Sequence, residues 1–480
     1  MTEEILLNVT LREVRVALVE NQILQEIHIE RNLRQGLIGN IYKGKVRRLL
    51  PGIQAAFIDI GLERAAFLHV SDVQAKVPCA DIRSLLQQGQ EVLVQVYKDS
   101  LGSKGVRATT KLAIPSHYLV LTPGIEQVAV SKKITDENLR QRLLNMLSPS
   151  QENGYIFRTA AVGASQMEIE ADKEALQALW ITIVERSKKA KSGELVYTEI
   201  PMIFRVLRDL ATHAVARIRV DQLQVATDMR QFAQRCVPML VERIEYHASD
   251  QPIFDIYSIE DQLQKALYRK VYLKSGGHLI FDQTEAMTTI DVNTGSYLGQ
   301  GKLEDTIYRT NLEAVAVIAR QVRLRNLGGI IIIDFIDMLQ PAHKTQLLQL
   351  LTIALTKDSA RTEISELTSL GLVQMTRKRT RESLEHTLCD PCPWCQQRGS
   401  IKSLQTICYE ILRELQQTAR NFAWPGFLII ATETVINYLR QEEEKMLADI
   451  ALQLGRPLLL RVESSYGREQ YDILPLSAKE

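Results

Sequence analysis

The stretch from Glu285 to Gln340 constrains this chain most, because it spells out a strand, a helix and a second strand. In TEAMTTIDVNTG, apolar Ile290 and Val292 alternate with Asp291 and Asn293, so the two polar side chains share one face of a strand. From Asp305 to Asn326, the residues Ile307, Leu312, Val315, Ile318, Ala319 and Val322 recur at helical spacing. Asp305 or Thr306 suits the start of that helix, and Gly328-Gly329 its end. Ile330 to Ile333 form an apolar run that suits a strand buried on both faces, followed at once by Asp334. Strand, helix, strand implies a parallel pair, whose ligands gather at the carboxyl ends of the strands. Asp291 and Asp334 are expected there.

Singly, each aspartate reads as a local device: Asp291 as a turn residue in Asp-x-Asn-x-Gly, Asp334 as a strand-end cap. Together, on adjacent strands, they read as a metal site. Magnesium takes hard oxygen ligands and keeps several waters, so one or two carboxylates hold it at a phosphate. There it can polarise a phosphoryl oxygen and activate water. Asn293 is placed to orient Asp291 or to bond a phosphate oxygen.

Composition narrows the rest. With 480 residues the chain has room for several domains, and 45% hydrophobic with 24% charged residues is a globular balance. A net charge of +1 excludes a uniformly basic nucleic-acid coat but leaves room for local patches among 58 basic residues. The start, MTEEILLNVT, lacks the apolar core of a secretory signal, and no apolar stretch reaches the ~20 residues of a membrane span. Cysteines fall at 79, 236, 389, 392, 395 and 408, unlike a secreted disulfide framework. Reduced thiols and a cytoplasmic location are expected.

Along the chain, residues 1 to 35 read as short strands with a turn at Asn21-Gln22. Residues 36 to 112 carry short strands punctuated by glycine, the pattern of a small barrel. Tyr42, Phe57, Phe67 and His69 are candidates for an outward face, near Lys43, Lys45, Arg47 and Lys104. Rings beside cations suit single-stranded nucleic acid, where bases stack and cations meet phosphates; core packing is the competing fate of Phe57 and Phe67. The run Gly39 to Asp72 resembles an S1 RNA-binding domain of the OB fold.

Residues 113 to 205 read as mixed strand and helix, with a helix from Asp172 to Lys189; Arg158-Thr159 follows an apolar strand and can grip a terminal phosphate or simply lie at the surface. Val225 to Tyr246 reads as one long helix, and Gly276-Gly277 as a hairpin turn. A further helix is expected from His343 to Lys357. Arg377, Lys378, Arg379 and Arg381 form a basic run that is either a solvated face or a grip on an RNA backbone. Cys392 and Cys395 have the separation of two ligands to one zinc, with Cys389 and His386 as further candidates. Four ligands in one chain are not evident, so a zinc shared between protomers is expected, making a homo-oligomer, dimer or tetramer. Residues 400 to 480 read as a small α/β unit with helices at Leu404 to Asn421 and Glu433 to Ala448.

Taken together, NIYKGKV, LPGIQAAFIDIGLERAAFLHVSD, LKSGGHLIFDQTEAMTTIDVNTG, RLRNLGGIIIIDFIDM, GLVQMTRKRTRESLEH and the CxxCPxC cluster resemble the ribonuclease E/G family over nearly the whole chain. The chain ends soon after its last α/β unit, which likens it to members without a long disordered extension. The resemblance implies a magnesium-dependent endoribonuclease acting on single-stranded RNA, leaving 5′-phosphate and 3′-hydroxyl ends, in rRNA maturation and mRNA decay. It implies catalytic roles for Asp291, Asn293 and Asp334, with the two aspartates holding magnesium, and demotes Asp337. RNA contacts fall to Phe57, Phe67 and Lys104, and a 5′-monophosphate pocket to Arg158, Thr159, Arg361 and Val120. A structural zinc falls to Cys392 and Cys395, with Cys389 leaving the pair open.

The implied fold is α/β and multidomain. A split RNase H-like domain (1–35 and 206–265) receives an S1 barrel (36–112) and a 5′-sensor domain (113–205). A DNase I-like catalytic domain (266–388), a zinc-link (389–399) and a small C-terminal α/β domain (400–480) follow. A binding-only RNA protein and a DNA nuclease are the competing readings. The intact aspartate–asparagine trio speaks against the first and the S1-like barrel against the second.

Overall fold

Asn21 and Gln22 both take positive φ, 49° and 66°, the backbone that a two-residue hairpin requires. They join the strands Glu13–Glu20 and Ile23–Arg31 in a computed structural model that describes residues 3–31, 36–75, 81–99, 105–147, 153–211, 214–295, 303–395 and 398–476. The strand Glu3–Val9 pairs antiparallel with Glu13–Glu20 and, on its other edge, parallel with Val215–Val220. Ile244–Tyr246 completes this sheet of five strands. The chain therefore leaves the sheet after Arg31 and re-enters it at Val215. The helix Leu223–Cys236 covers one face, packing Met229 and Ala226 against Ile5, Leu7 and Ile218. The expected helix to Tyr246 stops early: Pro238 cannot donate to the helix ladder, so a 3₁₀ turn, Pro238–Arg243, and the short strand follow instead.

The excursion contains two further sheets. In the first, Ile41–Leu50 pairs with both Ala55–Asp59 and Glu91–Lys98, while Ala66–His69 and Arg107–Thr109 bridge the other side, so the strands close into a five-stranded barrel. Gly44 is needed in its wall, where an added Cβ would lie 2.5 Å from the Ile58 side chain. Tyr42 does not face outward as the sequence suggested. It is 5% exposed and packs in the barrel core with Val46 and Ile58.

The second is a four-stranded sheet ordered Val128–Val130, Asn153–Phe157, Leu119–Pro123, Ile114–Pro115. It rests on the helix Gln166–Lys189, which begins earlier than its apolar spacing indicated because Ser165 and Glu168 form a capping box.

The strand–helix–strand stretch from Glu285 to Gln340 lies in a six-stranded sheet, whose elements are labelled here: β1 (Lys270–Tyr272), β2 (His278–Gln283), β3 (Met287–Asn293), α1 (Leu303–Leu324), β4 (Gly329–Asp334), α2 (Pro341–Leu355), β5 (Thr362–Leu367) and β6 (Leu372–Arg377). Sheet order is β1-β2-β3-β4-β6-β5. The crossover through α1 makes β3 and β4 parallel neighbours, as strand–helix–strand spacing implied. Both α1 and α2 pack on one face, burying Ile290, Val292, Ile331 and Ile333 with Val315, Ile318 and Leu351. The other face is open. The isoleucine run is thus buried on one side only: Ile331 and Ile333 are fully buried, whereas Ile330 is 46% exposed.

The basic run that begins at the end of β6 is divided between interior and surface. Arg377 points inward, 4% exposed, and forms a two-point ion pair with buried Asp358 at 2.7 and 3.1 Å while also bonding Asn326 and Leu327. Removing either partner would strand a buried charge, a loss on the order of 3–5 kcal/mol. Arg381 donates to the Ile27 carbonyl at 2.7 Å. Lys378 and Arg379 are exposed.

Residues 388–480 form a separate unit. Its sheet, Leu458–Val462, Phe427–Ala431, Tyr471–Pro475, packs on the helix Leu404–Asn421, and the expected Glu433–Ala448 helix is two helices, Glu433–Gln441 and Glu444–Leu454. Among the described residues no helix is long and apolar enough to cross a membrane.

Charged side chains lock the hairpin strand Ile23–Arg31 to α1. Arg323 donates to Gln25 at 2.8 Å and approaches Glu26 at 3.4 Å, and Glu26 meets His28 at 3.3 Å. Burial alone would raise the Glu26 carboxyl, but the His28 bond and the charges of Arg323 and Arg381 outweigh it and hold it below the ordinary range. Burial, reinforced by Arg381, lowers His28 below its usual 6.5. The unfolded chain therefore takes a proton at His28, as pH falls through 6.5, that the folded chain refuses. Glu26 adds to the loss once pH falls below 4.5, where the unfolded carboxyl protonates first. Stability is expected to fall from pH 7.5 to pH 5.5, and His28→Gln to flatten that fall, read as thermal midpoints at about one-unit pH steps. Parallel profiles for the two proteins would contradict it.

Candidate functional site

The β3–β4 register sets Asp291 directly beside Asp334. In β3, Thr288, Ile290 and Val292 point into the core, which turns Asp291 and Asn293 to the open face. Asn293 Nδ2 donates to Asp291 Oδ2 at 2.7 Å, fixing that carboxylate. The cleft, about 420 Å³, is lined by Asp291, Asn293, Thr294, Asp334, Asp337 and Leu370. Burial and then the charges of Asp291 and Asp337 push the Asp334 carboxyl up. A bound cation would relieve that repulsion, so the donor set fits a hard divalent ion such as magnesium. Among the described residues, no group of three or more histidine, cysteine or acidic side chains is arranged to hold a metal.

The segment after Asp334 is held from α1 by a residue that the sequence reading passed over. Asn311, fully buried, donates to the Ile336 carbonyl at 2.8 Å and accepts from the Ile336 amide at 3.1 Å. Glu304 accepts the amides of Leu339 and Gln340 at 3.1 and 3.2 Å. The signal for Asn311 was present: it sits four residues after Ile307 and four before Val315, a polar side chain on the apolar stripe.

On the barrel, Phe57 and Phe67 are cross-strand partners on the outer surface, with ring centroids 6.1 Å apart at 71°. Phe57 is 37% exposed. Arg48 stands opposite Phe57 and Arg107 opposite Phe67, its guanidinium 5.8 Å from the ring. These two arginines, not Lys43, flank the rings; Lys43 is taken up by Glu91 at 3.0 Å and the Ala190 carbonyl. Lys104 lies outside the described residues.

Arg158 follows the strand Asn153–Phe157, and exposed Thr159 begins the next 3₁₀ turn. Arg158 is ion-paired with Asp209 at 2.8 Å and donates to the Ser116 carbonyl at 2.5 Å. Val120 lies one strand over, opposite Ile156. Arg361 is exposed and paired with Glu363 at 2.5 Å. Lys133 donates to the Asp358 and Ser359 carbonyls at 2.9 and 2.7 Å, tying the segment before Arg361 to the four-stranded sheet's region.

In the C-terminal unit, Cys389 and Cys392 are exposed, Cys395 is half-buried, and none is in a disulfide. Bonds from the Cys395 and Trp394 amides and the Cys395 side chain lower the Cys392 thiol. Cys408 is a core residue, its thiol pushed up to about 11 by burial and Glu443. His386 Nδ1 is bonded to Ser383 Oγ at 2.7 Å.

The family model for the ribonuclease E/G family matches residues 113–380. Ribonuclease G of Salmonella typhimurium strain SL1344 is 47% identical over 99% of this chain and 100% of its own length, and Ribonuclease G of Escherichia coli K12 is 46% identical over the same shares. Ribonuclease E of Haemophilus influenzae is 34% identical over 93% of this chain but 49% of its own length. The chain belongs to the ribonuclease E/G family. That is a family of endoribonucleases.

In this member of the ribonuclease E/G family, Asn311→Leu removes the clamp on Ile336 while keeping the side chain's branching at Cγ. Each orphaned backbone group costs about 1–3 kcal/mol of stability. Displacing Asp334 is expected to slow RNA cleavage by roughly ten- to a hundredfold. RNA affinity, read by fluorescence anisotropy, should change far less. A full cleavage rate in a folded Asn311→Leu variant would show that the clamp does not position the site.

Proposed function

We propose that this chain is a magnesium-dependent, single-strand-specific endoribonuclease that leaves 5′-phosphate and 3′-hydroxyl ends. It favours 5′-monophosphorylated RNA and acts in the cytoplasm on rRNA precursors and mRNA. The observation that carries the reading is the pairing of Asp291 with Asp334, with Asn293 bonded to the first at 2.7 Å. Asp291 and Asp334 would hold magnesium, which supplies Lewis acidity toward the scissile phosphodiester. Asn293 holds Asp291 in one rotamer. Asn311 fixes the backbone just beyond Asp334. Water adds to phosphorus, the bond to the 3′ oxygen breaks, and that oxygen leaves with a proton.

Strand presentation falls to the barrel, where Phe57 and Phe67 stack bases and Arg48, Arg107 and Lys104 meet phosphates. The 5′-phosphate falls to Arg158 and Thr159, with Val120 and Arg361. Arg158 would exchange its Asp209 partner for the phosphate. The domain reading follows the family: an RNase H-like sheet split around an S1 barrel and a 5′ sensor, then a DNase I-like catalytic domain. Its support is the closed barrel and the return of the chain at Val215 to the sheet it left after Arg31.

The deciding variant is Asp291→Asn. It removes one charge and keeps the shape, so cleavage of a 5′-monophosphorylated single-stranded oligonucleotide in magnesium should fall by at least about a hundredfold, while binding persists. Undiminished cleavage would sink the assignment.

Two thiols per chain suit a tetrahedral zinc completed by a second chain, and the amides bonded to Cys392 Sγ favour the thiolate a zinc ligand must be. Cys392 and Cys395 are the assigned pair, with Cys389 as the alternate. Cys392→Ala with Cys395→Ala should release zinc, by metal analysis, and lower the mass seen by light scattering. An unchanged mass would reject a shared zinc.

A further inference from the structure

The open face of the six-stranded sheet continues past the carboxylates, and its register can be read strand by strand. Asn293 of β3 stands opposite His278 of β2, which stands opposite Tyr272 of β1. In the next row, Asp291 stands opposite Ile280, and Ile280 opposite Lys270. Leu279, Phe281 and Leu273 take the core positions between them, so Tyr272 and Lys270 contribute nothing to the interior. The Tyr272 ring is 72% exposed. It is nonetheless held: Lys270 Nζ lies 5.0 Å from its centroid, and the His278 ring stands against it at 6.4 Å and 54°. The neighbouring acid on this face, Asp282, is already neutralised by Arg269.

We propose that Tyr272, with Lys270 and His278 beside it, is a nucleobase-stacking site on the RNA path to the Asp291–Asp334 pair. The proposal rests on the ribonuclease reading above. Adjacent strands lie about 4.8 Å apart, so two strand spacings, roughly 10 Å, separate Tyr272 from Asn293. That is within reach of a base close to the scissile phosphate. The tyrosine offers a π-face to any base, Lys270 offers an exposed cation to the backbone, and His278 forms the wall toward the reaction centre. The occupant is the substrate strand, because this row is continuous with the residues assigned to cleave it.

The test uses the full-length protein and 5′-monophosphorylated single-stranded oligonucleotides with one cleavage site. A single abasic nucleotide is scanned along them. Tyr272→Ala is expected to raise KM roughly tenfold, the loss of one stacked base, and Tyr272→Phe to keep wild-type KM. At one position near the cut, removing the base should cost the wild type about as much and the Ala variant almost nothing. The same pattern should appear in binding measured on an Asp291→Asn background. Additive penalties at every position, or an unchanged KM in Tyr272→Ala, overturn the stacking site alone. A wild type that leaves RNA intact in magnesium overturns the reading beneath it.

Discussion

Two carboxylates of like charge stand side by side on adjacent parallel strands, and the register of the six-stranded sheet keeps them there. Asp291 and Asp334 share a register position, and burial plus mutual repulsion already shows in the raised Asp334 carboxyl. Each aspartate is fixed by a different neighbour: Asn293 bonds the first through its side chain, and Asn311 pins the backbone that follows the second. Both sets of hydrogen bonds are made by the chain's own side chains and backbone.

That frame extends outward through α1. Its inner face supplies Asn311 and the apolar cover of β3 and β4, and its C-terminal end carries Arg323 to the Gln25–Glu26 segment of the first sheet. The Asp358–Arg377 pair fastens the end of β6 to the loop before β5. Lys133 ties that loop to the region that carries Arg158. The groups assigned to the 5′-phosphate and to cleavage thus belong to one bonded framework.

Much of this was legible in the sequence where a local rule governs. Alternation in TIDVN oriented Asp291 and Asn293, helical spacing placed α1, and Asn21-Gln22 marked its hairpin. What failed were judgements that depend on partners distant in sequence. The isoleucine run looked buried on both faces because composition cannot show that no helix covers the second face of the sheet. Tyr42 looked like a surface ring until barrel closure turned it inward. The basic run looked uniform, yet Arg377 is committed to Asp358 and Arg381 to Ile27. Arg48 and Arg107 were invisible as partners of Phe57 and Phe67 because the strand register, not sequence distance, brings them together. The pairing of Glu3–Val9 with Val215–Val220 has no local signal at all, and only the family resemblance joined those segments beforehand.

The central claim is that the Asp291–Asp334 pair holds the cation that cuts RNA. The most direct measurement is end-mapping of a single-stranded RNA incubated with the purified protein, with magnesium, with EDTA, and with the Asp334→Asn variant in magnesium. The account requires defined internal cuts bearing 5′-phosphate and 3′-hydroxyl ends in the first sample and none in the other two. Cuts that persist in EDTA or in Asp334→Asn, or that carry 2′,3′-cyclic phosphate ends, would contradict it.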